Sequence, residues 1–504
     1  MRVITKSKRR AEFGDFQTPV GLAEAVCRLL LASGVNPASI VEPTCGIGNF
    51  LLASVKAFPR SAHVVGVDIN PQHIATANSK LEEFPHRQTV DLHCGDFFTS
   101  RWDRLVGLPE PILVVGNPPW VTNAQLGSLG SENLPAKSNF QNHAGFDAIT
   151  GKSNFDISEW MLIHLLERLE GKQATLAMLC KTAVARKTLS YAWKNEIGLQ
   201  RSSVYRIDAA EQFGVAVDAC LLVCEMGRQA SHDCRLFASL TSKRPTHVFG
   251  YRDKQLVAEV GAYDAWKHLQ GVERYRWRSG IKHDCSAVME LRRLGEVYTN
   301  GLGERVAIEP TFLYPMLKSS DVATGQTATT ERRMLVPQAT IAEDTRQIEA
   351  KAPMTWAYLQ KHGRLLDRRG SSIYKKRPRF SVFGVGPYSF APWKVAISGF
   401  YKSLNFRVVG PIDGKPTVFD DTCNFISCQS RDEAEFLVSL LDSPQATDLL
   451  KAFVFWDAKR PITVDVLRRI DLLKVAEALG VRPRAEEFIG ESIAKTDALF
   501  TVGA

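Results

Sequence analysis

The chain has 504 residues, 45% hydrophobic and 23% charged, a soluble globular composition too long for one ordinary core, so two domains are expected. A net charge of +9 permits a polyanionic partner without identifying one. No apolar run reaches the ~18–20 residues that span a bilayer, and the basic start "MRVITKSKRRAEFGDFQTP" has no apolar core behind it, which excludes a secretory signal and predicts a cytoplasmic protein with no membrane contact.

In chain order, "GLAEAVCRLLLASG" reads as an amphipathic helix ending at Gly34, and "SIVEPTCGIGNFLLASVKAF" as a strand, a glycine turn and a helix. "AHVVGVDIN", "VDLHCGDFF" and "PILVVGNPPW" read as the second, third and fourth strands. "SEWMLIHLLERLEGK" is a helix, "QATLAMLCK" a further strand and "VDACLLVCEM" a late one. Strands alternating with helices predict an α/β fold: a doubly wound, mostly parallel sheet with ligands outside the strand carboxyl ends. After about Gly227 the alternation stops, and basic and aromatic clusters with Pro/Gly turns predict an irregular α+β domain. The expected division is residues 1–230 and 231–504. Ten cysteines lie without metal-type pairs: Cys220/Cys224 and Cys423/Cys428 have the wrong spacing and sit in apolar stretches. Buried reduced thiols and no metal are expected.

The strand-end turns carry the chemistry. In "EPTCGIGNF", Gly46 and Gly48 let the backbone approach a ligand, and the helix behind them favours a carboxylate or phosphate. Asp68 ends the next strand, where an acid can accept hydrogen bonds from a ribose diol. "CGDFF" adds Asp96 beside Phe97 and Phe98, suited to an adenine amino group and its ring face. Dinucleotide binding competes, but the turn lacks the third glycine of that pattern, and Asn-Pro-Pro-Trp has no role in hydride transfer. Helix capping by Asp68 and Asp96 is the bland alternative for either one alone.

"FQTP", "EPTCGIGNF", "VDIN", "CGDFF" and "GNPPW", in this order, resemble the motifs of S-adenosylmethionine-dependent DNA adenine-N6 methyltransferases of the γ arrangement, found in type II restriction–modification systems. "WRSGIKHD", "YPMLKSSD", "SLNF" and "KRPIT" are similar to the recognition regions of such enzymes. The resemblance implies a Rossmann-like methyltransferase sheet followed by a target-recognition domain. It implies that Thr18 helps hold the methionine carboxylate beside the turn of Cys45, Gly46 and Gly48, that Glu42 lies near its amino group, and that Phe16 and Pro43 also belong to the donor site. Asp68 would hold the ribose, Asp96 and Phe97 the adenine, and Ile69 its other face.

The target amine of adenine is a poor nucleophile because its lone pair is delocalised into the ring. Acceptors for both amino hydrogens, the Asn117 amide oxygen and the Pro118 carbonyl, would draw that pair out of conjugation as the transition state forms. Pro118 and Pro119 stiffen the turn and remove a competing donor. The donor is a cationic sulfonium, so transfer needs no strong base. Trp120 would stack on a flipped-out base, where family members more often carry tyrosine, and Phe213 falls where the family places a second aromatic contact. A core phenylalanine explains Phe213 equally well. "DISEW" begins a helix that in the family helps line the donor pocket, though an ordinary N-capped amphipathic helix explains it nearly as well, and Thr122 to Asn154 reads as a loop over the active site.

Three basic–aromatic clusters, "RYRWRSGIKHD", "RLLDRRGSSIYKKRPRF" and "WDAKRPIT", predict a surface for double-stranded DNA, with Lys282, His283, Lys375, Lys376, Arg377, Lys459 and Arg460 as contacts; solvated basic loops are the bland alternative for any one cluster, and Lys282–His283–Asp284 reads as structural or DNA-contacting. The motifs start close to the N-terminus and the second half shows no acidic-plus-lysine nuclease constellation, so a separate restriction endonuclease is allowed as a partner. A monomer is expected. The rivals are a methyltransferase of the same motif class acting on RNA or a protein glutamine, and a DNA-binding partner protein with a decayed site.

Overall fold

The computed structural model describes residues 17–100, 102, 107–121 and 156–488. Phe16 and the stretch 122–155, the latter expected to cover the active site, lie outside these residues. The chain forms two compact units, Met1–Val260 and Gly261–Ala504.

The first unit opens with helix α1 (Val20–Ala32), whose stripe Leu22, Ala23, Val26, Cys27 and Leu30 is buried. The helix stops where the sequence places Gly34, at φ +88°. Then follow β1 (Ser39–Glu42), α2 (Asn49–Ala57), β2 (His63–Asp68), α3 (Pro71–Glu82), β3 (Thr89–Cys94) and β4 (Ile112–Gly116). After them come α4 (Ile157–Leu169), β5 (Ala174–Lys181), α5 (Thr182–Lys194), β6 (Leu199–Asp208), α6 (Ala209–Phe213) and β7 (Asp218–Met226). β8 (Asp233–Phe237), β9 (His247–Arg252) and β10 (Gln255–Val257) complete it.

Among the described residues these strands form one sheet in the order β10-β9-β8-β6-β7-β5-β4-β1-β2-β3. β3, β2, β1, β4 and β5 are mutually parallel, and β7 runs antiparallel between β5 and β6. β1 and β4 are buried at every residue, as strands covered on both faces of a parallel sheet should be, β4 as a continuous apolar run and β1 with the polar Ser39 and Glu42 at its ends. The chain winds outward from β1 to β3 and then returns to the other side of β1 as β4. That reversal puts a crevice at the carboxyl ends of β1 and β4.

The first unit runs past the boundary expected at residue 230. β8 pairs in parallel with β6, and β9 and β10 add antiparallel to it, so the chain from 231 to 257 completes the sheet. β6 itself was not predicted. Arg201, Ser202, Ser203 and Arg206 interrupt its apolar pattern, although Ser202 and Ser203 are buried.

The second unit contains β11 (Arg278–Ser279), β12 (Glu290–Leu294), β13 (Val297–Asn300), β14 (Arg305–Val306), β15 (Leu313–Leu317) and β16 (Arg332–Leu335), then β17 (Trp393–Ser398), β18 (Arg407–Val409), β19 (Val418–Phe419) and β20 (Cys423–Cys428). They form two sheets among the described residues, β11-β20-β17-β18 and β14-β13-β12-β16-β15-β19. Short helices such as Arg431–Leu441 and Pro444–Lys451 make it an α+β unit. The ten cysteines are free thiols; eight are buried, Cys285 is half-buried and Cys94 exposed. No described helix is long and apolar enough to cross a membrane.

Lys394 on β17 is 1% exposed and donates to the Ala391 carbonyl at 2.6 Å. Burial pushes its pKa down to about 7. The unfolded chain therefore holds a proton that the folded chain releases, between about pH 7 and the ordinary lysine value near 10.4, and stability rises with pH across that window. Below it both states are protonated and the penalty is constant. Lys394→Met is expected to raise the melting temperature at about pH 6 and to flatten the rise. Thermal melts of both proteins across this range check it; parallel curves would rule it out.

Candidate active site at the strand carboxyl ends

Four turns converge at the ends of β1 to β4. The turn after β1 is held by Asp68 at the end of β2: Asp68 Oδ2 accepts the Gly46 N–H at 2.8 Å, while Oδ1 accepts Asn70 N–H at 2.8 Å and lies 3.2 Å from His73 Nδ1. The Cys45 N–H donates to the Val67 carbonyl at 2.8 Å. The segment before α1 docks on the same turn, with Gln17 Oε1 accepting the Ile47 N–H at 3.1 Å and the Thr18 carbonyl accepting Asn49 Nδ2 at 2.7 Å. Thr18, Pro43 and Cys45 are buried. The sequence motif points to Thr18 and gives no role to Gln17, whose side chain makes the hydrogen bond to the turn.

Gly46 and Gly48 have φ of +51° and +79°. A Cβ at Gly48 would stand 2.8 Å from the Ala77 Cβ on α3, so a side chain there meets both backbone strain and a packed helix. Gly48→Ala is expected to destabilise the first unit by about 1–3 kcal/mol and to weaken any ligand held by the turn. Differential scanning calorimetry checks this; an unchanged transition would show that α3 gives way freely.

Glu42 is 2% exposed and accepts the Leu51 N–H at 3.0 Å. Burial, with the Asp68 charge adding to it, holds its carboxyl well above the usual range. Ile69, next to Asp68, is 50% exposed, an apolar side chain open at the mouth of the crevice. Asp96 Oδ1 accepts the Phe98 N–H at 2.9 Å. Both strand-end acids thus cap their own turns, yet a carboxylate has about four lone-pair sites, and capping leaves acceptor capacity. Phe97 is buried against Trp102 and His164, with ring centroids 4.9 and 5.9 Å away. Phe98, half-buried, stacks on Trp160 of α4 at 4.4 Å. The helix expected to begin at "DISEW" is α4, capped by Asp156, whose carboxylate accepts the Ser158 N–H at 3.1 Å.

At the end of β4, Asn117 and Pro119 are half-buried, and Pro118 and Trp120 are buried. Thr44 Oγ1 donates to the Asn117 carbonyl at 3.3 Å, tying this turn to the one after β1. The Trp120 indole N–H donates to the Leu179 carbonyl at 3.4 Å. Phe213 from α6 meets the Trp120 ring edge-on, centroids 5.1 Å apart at 70°. The two aromatics singled out from distant sequence motifs are therefore neighbours. Lys181, at the end of β5, also touches this turn and was missed; the only signal was a charge ending the apolar run "ATLAMLCK".

In the second unit the basic clusters also meet. The Tyr374 hydroxyl donates to the Lys282 carbonyl at 3.2 Å, and Lys282 exchanges backbone hydrogen bonds of 2.9 Å with Phe383. Ile281 pairs with Asp420, and Arg460 donates to the carbonyl of the adjacent Asp421 at 3.2 Å. Lys375, Lys376, Arg377, Lys459 and Arg460 are exposed around this junction. His283 corrects the DNA contact expected of it and keeps the structural reading: it is 7% exposed, with its ring between the Cys285 N–H (3.2 Å) and Glu290 Oε1 (3.2 Å). Its charged neighbours disguised a buried position. Among the described residues no group of three His, Cys, Asp or Glu side chains could hold a metal ion.

No protein-family model matches the chain. The type II methyltransferase M.NspV of Nostoc sp. is 47% identical over 475 residues, covering 94% of this chain and 98% of the relative. The type II methyltransferase M.CvrRI of Paramecium bursaria Chlorella virus XZ-6E is 32% identical over 117 residues, 23% of this chain and 26% of that one. Among solved structures, the type IIL restriction-modification enzyme MmeI, determined in complex with DNA, is similar with a TM-score of 0.56 at 12% identity. It covers 93% of this chain and 69% of its own, a likeness of fold. With the Rossmann-like sheet, the four strand-end turns and a near end-to-end match in hand, the chain belongs to the DNA methyltransferases of type II restriction–modification systems.

Proposed function

We propose that the chain transfers a methyl group from S-adenosylmethionine to the exocyclic N6 amine of an adenine flipped out of double-stranded DNA. The observation that carries this reading is the turn after β4: Asn117 and Pro118 adjoin the ring pair Trp120–Phe213, and the turn is hydrogen-bonded to the one after β1. A planar base with an amine on its edge suits that combination of ring faces and carbonyl acceptors.

The residues present fit the donor. The start of α2 favours its carboxylate, Glu42 lies beneath, Asp68 keeps one lone-pair site on Oδ2 for a ribose hydroxyl, and Asp96 stands beside the Phe97–Phe98 pair, with the exposed apolar Ile69 next to Asp68. When bound, the donor supplies an activated methyl on a cationic sulfur. The Asn117 amide oxygen and the Pro118 carbonyl accept the two amino hydrogens, so the nitrogen lone pair is freed along the transfer direction. The amine proton leaves to water after transfer, when the nitrogen is cationic and acidic. No metal enters this scheme.

The second unit takes the target-recognition role, with Lys282, Lys375, Lys376, Arg377, Lys459 and Arg460 on phosphates and base edges. The chain would act in the cytoplasm as the modification half of its system, beside a separate restriction endonuclease. To test the chemistry, DNA methylated by the purified chain is digested to nucleosides and weighed by mass spectrometry. N6-methyldeoxyadenosine is expected; methylated cytosine alone would overturn the adenine assignment.

A further inference from the structure

Lys181 closes the carboxyl end of β5, and none of the motifs gives it a role. Its ammonium donates to the Trp120 carbonyl at 3.2 Å and to Asp156 Oδ2 at 2.6 Å. Asp156, 5% exposed, uses its other oxygen to accept the Ser158 N–H at 3.1 Å and the Ser158 hydroxyl at 2.6 Å, fixing the first turn of α4. The next peptide along is pinned to the same helix, since the Val121 carbonyl accepts the Ile157 N–H at 3.0 Å. Two residues before Lys181, the Leu179 carbonyl holds the Trp120 indole N–H. Ring and peptide of Trp120 are therefore tied to β5 separately, and α4 carries the Trp160 that stacks on Phe98 beside Asp96.

A mostly buried ammonium–carboxylate pair is a weak source of stability, because desolvation offsets its attraction. What it supplies here is direction: a cation aimed at one carbonyl and one capping acid.

We infer that Lys181 is a positioning residue for methyl transfer. With Asp156 it fixes the Trp120 peptide so that the ring offers its face to the target base, and through α4 it couples that ring to the donor pocket. This role rests on the reading above. The acceptors that draw on the amine lie two and three residues before Trp120 on the same turn, where a misplacement of about 1 Å can cost 100-fold in rate.

The test uses the full chain and a duplex carrying its mapped target. Lys181→Met is expected to lower kcat by about 10- to 100-fold, with KM for DNA and the Kd for S-adenosylmethionine within about threefold. With 2-aminopurine at the target position, the extruded base should fluoresce more strongly in Lys181→Met than in the unaltered protein, because the stacking ring is misaimed. Lys181→Arg, which keeps charge and reach, should recover most of kcat and the unaltered fluorescence. Unaltered kcat in Lys181→Met overturns the inference. So does a loss shared by Lys181→Met and Lys181→Arg that follows melting temperature and donor binding, with fluorescence per bound complex unchanged. Absence of DNA methylation by the unaltered chain is a separate result, visible before any variant is compared, and sinks the functional reading together with this role.

Discussion

Replacing Asn117 by alanine is expected to lower methyl transfer by at least about 100- to 1,000-fold, the usual cost of removing one preorganised polar group from a transition state. The position explains the size. Asn117 follows the buried strand β4, its carbonyl is held by Thr44, and Pro118 and Pro119 stiffen the backbone after it. Alanine keeps that backbone course and removes the amide alone. Donor binding should survive, because the contacts at Gly46, Asp68 and Asp96 belong to other turns. Isothermal titration with S-adenosylmethionine and transfer of labelled methyl to DNA separate the two effects. A variant that binds donor and still methylates at the unaltered rate would remove Asn117 from the chemistry.

Asp68→Ala should have the second large effect, on the donor instead of the base. Its carboxylate accepts two backbone N–H groups, from Gly46 and Asn70, and lies against His73. Without it those N–H groups lose a charged acceptor, and each lost bond of this kind is worth about 1–3 kcal/mol. The turn after β1 loosens, and the acceptor proposed for a ribose hydroxyl disappears. Donor affinity is expected to fall by about 10- to 100-fold, while kcat at saturating donor changes by less than about threefold. Asp68→Asn, which keeps one acceptor oxygen, should fall between. Titration calorimetry of the three proteins checks the order; equal affinities would leave Asp68 as a cap only.

The turns were legible because their signals are local. Glycines that need positive φ, an acid closing a β-rich run and two prolines after a buried strand each announce themselves within a few residues, and the parallel core of the sheet follows from their order. What depends on distant pairing was not legible. β6 hides because its arginines and serines break the apolar run, and β8 to β10 join the sheet only because β6 is there to receive them. His283 looked like a surface cation until Glu290 was found beside it. Lys181 shows the same limit inside the active site: its meaning lies in Trp120 and Asp156, and neither is near it in sequence. The meeting of the basic clusters rests likewise on the pairing of Ile281 with Asp420.

The most direct measurement is to express the chain in a host whose DNA carries no methylation and to sequence that DNA by a method that reports modified bases. Methyl groups on adenine within one short motif, absent when Asn117→Ala is expressed in its place, are the expected result. Unmodified DNA from cells that hold folded, donor-binding protein would contradict site-specific methylation of adenine in DNA by this chain.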